Sequence, residues 1–582
     1  MIKAIKKVFV MAMSCVLVCG MTACGGGGDT TTIEFRCETS INEKTAYINA
    51  IRTYNNGQGK TDGVYVNAAY DVPSTSIGQQ ISSYSPQTPN VVCMDDENFK
   101  GKASLGYFLS LDSYLTDDVK TSMDWENIPE LMINRYSYNT EIDATIGKKT
   151  AGKGTSVLGL PNGGAPLVLF YNEEMLATAG VNIISITENE ISGTNYQPHG
   201  YAEYKTAPAD GLTASTNNAG QTVYKVFNNK IPMNWEEFRY LMKHLQKTLQ
   251  CEYPYMTEWW FNYGWSIGGD CIGWDAAQGE YVFTLNDKKT NFLVVGNTTI
   301  NGVNYKVGDV LSYEDKEYLH NHSTLIDNNV YELPSMYDAF LEFNRIGVPK
   351  TKIVDIVDNT AKYGYGFANP TLTNREAPFK AGVSPFVAAN YNQISEFQES
   401  NVKNKFDIAP QQQYREYEQG SLVNENAFED IQVKVIGETY NGETYNGELK
   451  KVNGTAIVGR AATQSLNYCI AIAKNSDPNK YDAAFKFASW LAGPEAQKLL
   501  SDGNGIIPNQ TNVAYDGNFL NDSHRIIDNT WAAVYANENA DMGDWAYFDE
   551  GSWVTAWADL LNTSVRQGNI TLTQFFNLEY II

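Results

Sequence analysis

From Ile33 to Met94 the chain alternates short apolar runs with amphipathic stretches, and this alternation restricts the folds open to it. Ile33-Glu34-Phe35-Arg36-Cys37 reads as a strand. After a polar turn, Tyr47, Ile48, Ile51 and Tyr54 recur at helical spacing until Gly57 and Gly59 stop them. Val64 to Ala69 alternates as a second strand, Ile77 to Tyr84 reads as a helix ended by Pro86 and Pro89, and Asn90 to Met94 is a compact buried strand. Strand, helix, strand, helix, strand is the order of an α/β layer on a parallel sheet.

After about residue 145 the pattern restarts. Val157-Leu158-Gly159-Leu160-Pro161 leads into the apolar run Leu167 to Tyr171, and a helical stretch opens at Asn172-Glu173-Glu174. Asn234 suits an N-cap, Glu236 and Glu237 suit the positive end of a helix, and Phe238, Leu241, Met242 and Leu245 form its apolar face. A late helix is expected after Asp477-Pro478, with Tyr481, Ala484, Phe485, Ala488 and Leu491 on one side. Three polar stretches, near 185–230, 290–325 and 414–455, read as insertions; the last holds the tandem Glu438-Thr439-Tyr440-Asn441-Gly442 and Glu443-Thr444-Tyr445-Asn446-Gly447, whose Asn-Gly pairs mark turns. At 582 residues the chain has room for two or more domains.

The first residues read as a secretory signal. Lys3, Lys6 and Lys7 precede an apolar run from Val8 to Val18, and Met21-Thr22-Ala23 places small residues before Cys24. The run is too short to span a bilayer, which takes about 20 apolar residues. Cys24 and its surroundings resemble a bacterial lipobox. That resemblance implies cleavage after residue 23, lipidation of Cys24, and residues 24–32 as a glycine-rich tether on the extracellular face of the cytoplasmic membrane.

The net charge of −24 becomes −24 − 3 = −27 once the three leader lysines are lost. That opposes nucleic-acid binding and adhesion to anionic lipid. Five cysteines remain beyond Cys24, scattered and without a C-x-x-C, so neither a metal knuckle nor a disulfide framework is indicated; Cys251 and Cys271 remain a possible pair. His320 and His322 do not make a metal site by themselves. No H-E-x-x-H occurs, and Gly152-Lys153-Gly154 does not complete a phosphate loop. The chain carries 37 Tyr and 11 Trp, a load of flat rings beyond what cores use that suits a sugar-stacking or a peptide-gripping surface.

Several segments carry a family resemblance. Ala471-Ile472-Ala473-Lys474-Asn475, Ala484-Phe485-Lys486-Phe487, Trp490-Leu491, Pro494-Glu495-Ala496-Gln497 and Ile507-Pro508 resemble the C-terminal signature of extracellular solute-binding proteins, in particular the sugar-binding group that serves ATP-driven importers. Phe170 to Leu176 with Ala179-Gly180-Val181, Trp235 to Phe238, Phe379 to Gly382 with Ser384-Pro385-Phe386, and Leu561 to Val565 follow in the family's order. The resemblance implies an α/β, two-lobed periplasmic-binding-protein-like fold of type II, each lobe a mainly parallel sheet flanked by helices. The N-terminal lobe is expected over 33–145 and 456–535, and the C-terminal lobe over 146–455 and 536–582 with the insertions. It further implies reversible binding without catalysis, no cofactor or metal, a carbohydrate ligand, permease subunits as partners, and a monomer.

Candidate ligand-binding residues follow from strand ends, ring clusters and the resemblance. Asp95 and Asp96 follow the third strand and suit hydroxyl recognition or a helix cap, with Asp71 as a lesser candidate. Trp259, Trp260 and Trp265 could form a stacking platform or pack in a core. The resemblance places Asn390, Tyr391, Arg460 and Trp553 near the cleft. A peptide or polyamine ligand held by Asp95, Asp96 and Glu97 is the alternative, and a glycoside-acting enzyme is a more distant one.

Overall fold

The computed structural model describes residues 30–577 except positions 40, 84–87, 139–153, 258–260, 276–279, 301, 313–328, 370–371, 373, 421–432, 503–504, 523–525, 542 and 544–551. The leader, Cys24, Trp259 and Trp260 therefore lie outside the described residues.

The first alternation folds as expected. Strands β1 (Thr31–Cys37), β2 (Val64–Ala69) and β3 (Val91–Asp95) are joined by helices, Ile41–Asn56 and Ser74–Ser82 the longest of them. β1 lies between the other two and runs parallel to both. The next long strand, β4 (Leu160–Asn172), is buried along all 13 residues. The sequence suggests two runs here, because Pro161, Gly163, Gly164 and Pro166 read as breakers. The structure joins them into one crossover strand.

That strand belongs to two halves. Its first part pairs with β11 (Ser465–Ile472), which pairs in turn with β3. Its second part, from Leu167 on, pairs on one side with β9 (Phe386–Asn390) and on the other with β10 (Phe406–Ala409), and β9 pairs with β8 (Tyr255–Met256). The mixed sheet thus runs 2-1-3-11-4 in one lobe and 8-9-4-10 in the other. Each lobe has its own core. In the first, Ile33, Phe35, Tyr54 and Val91 pack on Phe487 and Leu491 of the helix Tyr481–Ala492. In the second, Leu169, Tyr171 and Phe386 pack on Phe238 and Leu241 of the helix Trp235–Thr248. Asn234 caps that helix in a capping box with Glu237.

The insertions have structure of their own. Strands β5 (Val181–Ile184), β6 (Tyr201–Tyr204) and β7 (Thr222–Asn228) form a small sheet with β7 in the middle. His199 ties this sheet to the later insertion: its ring stacks on Tyr417 at 3.9 Å, with Nδ1 at 2.5 Å from Glu237 Oε1 and Nε2 at 2.8 Å from the Gly447 carbonyl. Cys251 and Cys271 are free thiols, as are the other three described cysteines, which closes the question of their pairing. Asp477 caps a 3₁₀ turn, Pro478–Lys480, before the late helix begins at Tyr481. No helix among the described residues is long and apolar enough to cross a membrane.

Candidate ligand-binding crevice

The registers show where the strand ends point. β11 pairs Ile472 with Val91 and Tyr468 with Asp95, then Ser465 with Pro166. Passing from Ile472 to Ser465 leads toward the crossover, so β1, β2 and β3 finish on the crossover side. β9 pairs Phe386 with Tyr171 and Asn390 with Leu167, so β8, β9 and β10 also finish beside the crossover. Loops at the carboxyl ends of both half-sheets thus meet at the crossover, the place where open α/β sheets hold ligands.

On the first-lobe side the acids are occupied by the fold. Asp95 is the N-cap of the helix Asp96–Ser104, accepting from the Asn98 N–H at 2.8 Å. Asp96 forms an ion pair with Arg135 at 2.5 Å and accepts from the Tyr136 hydroxyl at 2.6 Å. Burial outweighs both interactions and holds the Asp96 carboxyl above the usual range. Arg135 also donates to the Ser465 carbonyl at 2.8 Å, joining this lobe to the returning strand. Asp71 is exposed in a left-handed conformation and pairs with Lys44, which together with a hydrogen bond from Thr39 lowers its carboxyl.

On the second-lobe side the strand ends carry amides. A 3₁₀ turn, Tyr391–Gln393, follows Asn390, and Pro410-Gln411-Gln412-Gln413 follows β10. Asn390 Oδ1, Asn392 Oδ1 and Gln411 Nε2 are buried with no hydrogen-bond partner among the described residues. A buried polar atom left unpaired costs about 1–3 kcal/mol, and a ligand hydroxyl in reach would remove that cost. More amides gather at the crossover: a methyl group at Gly164 would stand 2.0 Å from Asn537 Oδ1, 2.6 Å from Asn467 Oδ1 and 3.0 Å from Ser465 Oγ. Only glycine leaves room for them.

The remaining candidates separate. Tyr391 is fully buried in the second-lobe core. Trp265 is also fully buried, with its indole N–H 3.2 Å from Asp270 Oδ1, so it offers no open ring face. Arg460 donates to the Trp265 carbonyl at 2.7 Å and pairs with Asp541 at 2.8 Å, with about a third of its side chain exposed (35%). Trp553 lies in the helix Ser552–Thr563. Gln411, Asn392, Asn467 and Asn537 escape the sequence reading, although a polar triplet directly after the apolar run Phe406–Ala409 marks the first of them. Gly264-Trp265-Ser266-Ile267-Gly268 has nucleophile-elbow spacing, but its context differs. Ser266 ends the helix Phe261–Ser266 instead of following a strand, is fully buried, and accepts from the Tyr414 N–H at 3.0 Å.

No family model matches the chain, and no curated protein matches its sequence. Solved structures do. UgpB from Mycobacterium tuberculosis in complex with glycerophosphocholine has a TM-score of 0.51 at 12% identity, over 95% of this chain and 97% of that one. The cyclic α-maltosyl-1,6-maltose binding protein from Arthrobacter globiformis has a TM-score of 0.48 at 12% identity, covering 93% of each chain. An ABC substrate-binding protein from Listeria monocytogenes in complex with cycloalternan has a TM-score of 0.47 at 13% identity, over 93% of this chain and 95% of that one. The likeness to UgpB shows the fold, the two-lobed α/β architecture of periplasmic-type binding proteins.

Proposed function

We propose that this chain is the extracellular, lipid-anchored substrate-binding component of an ABC importer, holding a carbohydrate, an oligosaccharide, between its lobes and delivering it to membrane permease subunits. One observation carries the reading: strand ends of two half-sheets converge on the crossover, whose second-lobe side carries buried amide atoms without partners among the described residues. Amides both donate and accept, which suits a neutral ligand with many hydroxyls. Asp95, Asp96 and Asp71 are already spent on a cap and ion pairs, which favours a neutral ligand over a polyamine. Lobes sharing a crossover strand can close on a ligand as a hinge.

The roles are then binding roles only. Asn390, Asn392 and Gln411 bond hydroxyls, Trp259, Trp260 and Trp553 are the stacking rings, and Arg460 with Asp541 borders the opening. Cys24 carries the lipid that keeps the receptor at the membrane. Calorimetric titration of the purified protein with an oligosaccharide series tests the reading, with Asn390→Ala and Gln411→Ala beside the unaltered chain. Saturable binding of intact sugar, weakened in both variants, supports it. Release of shorter sugars, or binding confined to peptides or polyamines, overturns it. Mass spectrometry of the membrane-extracted protein, finding an acylated residue 24 at the N-terminus, tests the anchor.

A further inference from the structure

Apart from the crevice, we propose a second ligand site within the insertions, one that takes a small organic cation of the alkylammonium type against Glu203. A cavity of about 220 Å³ lies between the small sheet, the helix Trp235–Thr248 and the segment 433–440. A water molecule's share of liquid volume is about 30 Å³, so the space holds roughly seven waters or one small molecule. The rings of Tyr201, Tyr240 and Tyr440 line it together with Glu203, Glu438 and Asn217.

Glu203 is the reason for choosing a cation. It is 5% exposed on β6. The Tyr201 hydroxyl donates to Oε1 at a long 3.3 Å, and Oε2 has no hydrogen-bond partner among the described residues. Lys225 faces Glu203 in register across the sheet, yet its ammonium is spent on Ser215 Oγ at 3.1 Å and the Thr216 carbonyl at 2.6 Å. No ion pair to Glu203 forms among the described residues. Glu438, the other acid of the cavity, is paired with Lys205 at 3.1 Å. His244 points away, with Nε2 at 2.7 Å from the Ala179 carbonyl, and burial lowers it to about 4, so it brings no charge. Lys225 and Asn217 offset part of the burial of Glu203, but among the described residues it is the one acid of the cavity wall with no direct ion pair. An unpaired buried carboxylate is costly, and burial accordingly pushes Glu203 up to about 7. A ligand N⁺–H supplies the missing donor, and tyrosine rings attract a cation through their faces. A metal ion is a poorer fit, since no three metal-binding side chains group together among the described residues.

Propylammonium and its neutral isostere 1-propanol are the probes, titrated into the full chain by ligand-observed NMR and calorimetry. The expected result is saturable propylammonium binding at least tenfold tighter than 1-propanol, reduced at least tenfold by Glu203→Gln and unaffected by Asn390→Ala in the crevice. Equal binding of the two probes, undiminished affinity in Glu203→Gln, or no binding of either overturns the proposal. The probe comparison on the unaltered protein decides the matter even if Glu203→Gln fails to fold. Loss of propylammonium binding in Asn390→Ala would instead assign the cation to the crevice and overturn the second site.

Discussion

Replacing Arg135 by Met should expose the energetics of the ion pair beside the crossover. At 2.5 Å and an effective dielectric of about 20, the Arg135–Asp96 attraction is about 332/(20 × 2.5), or roughly 7 kcal/mol gross. Desolvation of the two groups takes back several kcal/mol. Removing one partner of such a pair costs about 3–5 kcal/mol, because the other charge stays buried. The chain can limit that cost by protonating Asp96. From its ordinary value of 3.8, keeping the carboxyl protonated at pH 7 costs at most about 1.36 × (7 − 3.8), or 4.4 kcal/mol. At pH 5 the same ceiling is about 1.6 kcal/mol. The sign follows from the raised folded-state value: a protonated Asp96 favours the fold at low pH, and the advantage is lost as pH rises. Arg135→Met should therefore lose about 4 kcal/mol at pH 7 and no more than about 1.6 kcal/mol at pH 5. Adding Asp96→Asn should restore most of the loss at pH 7. Urea unfolding of the three variants at both pH values measures this as a double-mutant cycle. A deficit independent of pH, or one that Asp96→Asn leaves untouched, would refute the reasoning.

Other expectations are shorter. Gly163 has φ +73, and a methyl group there would meet Ile506 Cδ1 at 2.7 Å, so Gly163→Ala should cost about 2–4 kcal/mol by strain and overpacking, read as a lower urea midpoint. Asn390→Ala should weaken sugar binding by about 1–2 kcal/mol in calorimetry without lowering the melting temperature, because its Oδ1 accepts from no donor among the described residues. Asp407 is buried and pushed up to about 7, chiefly by burial. Its neutral form favours the fold, a contribution complete below the ordinary value of 3.8 and lost as pH rises from there to about 7; Asp407→Asn should raise the melting temperature most at pH 8, less at pH 5, and not at all at pH 3. Trp259→Ala or Trp260→Ala should cost about 1–3 kcal/mol of sugar binding for whichever ring stacks, by analogy with base–aromatic stacking. Unchanged affinity in both, with the fold intact, would remove these rings from the site.

What could be read in the sequence had a local cause. Asn234 and Glu237 announce their helix because both ends of a capping box lie three residues apart. The strands at Ile33, Val64 and Val91 announce themselves by apolar runs between turn residues. β4 was obscured because two prolines and two glycines signal a break, and only burial between β11, β9 and β10 makes such a segment extend. The crevice was harder still. Asp95 and Asp96 looked suited to a ligand at a strand end, but a strand end that opens a helix also needs a cap and a counterion, and those needs claim them. Gln411, Asn467 and Asn537 come from widely separated segments, and common polar residues gain meaning only once the fold gathers them around Gly164 and the ends of β9 and β10.

β4 has a consequence for how the chain can be divided. Because one continuous stretch of backbone completes both half-sheets, neither half is a separable part: cutting after Pro166 would leave β11 with the larger fragment and take from the smaller the strand that sits between β3 and the first part of β4, exposing raw edges on both. Melting of one half would fray its neighbour through that stretch, so heating should register a single merged transition instead of two.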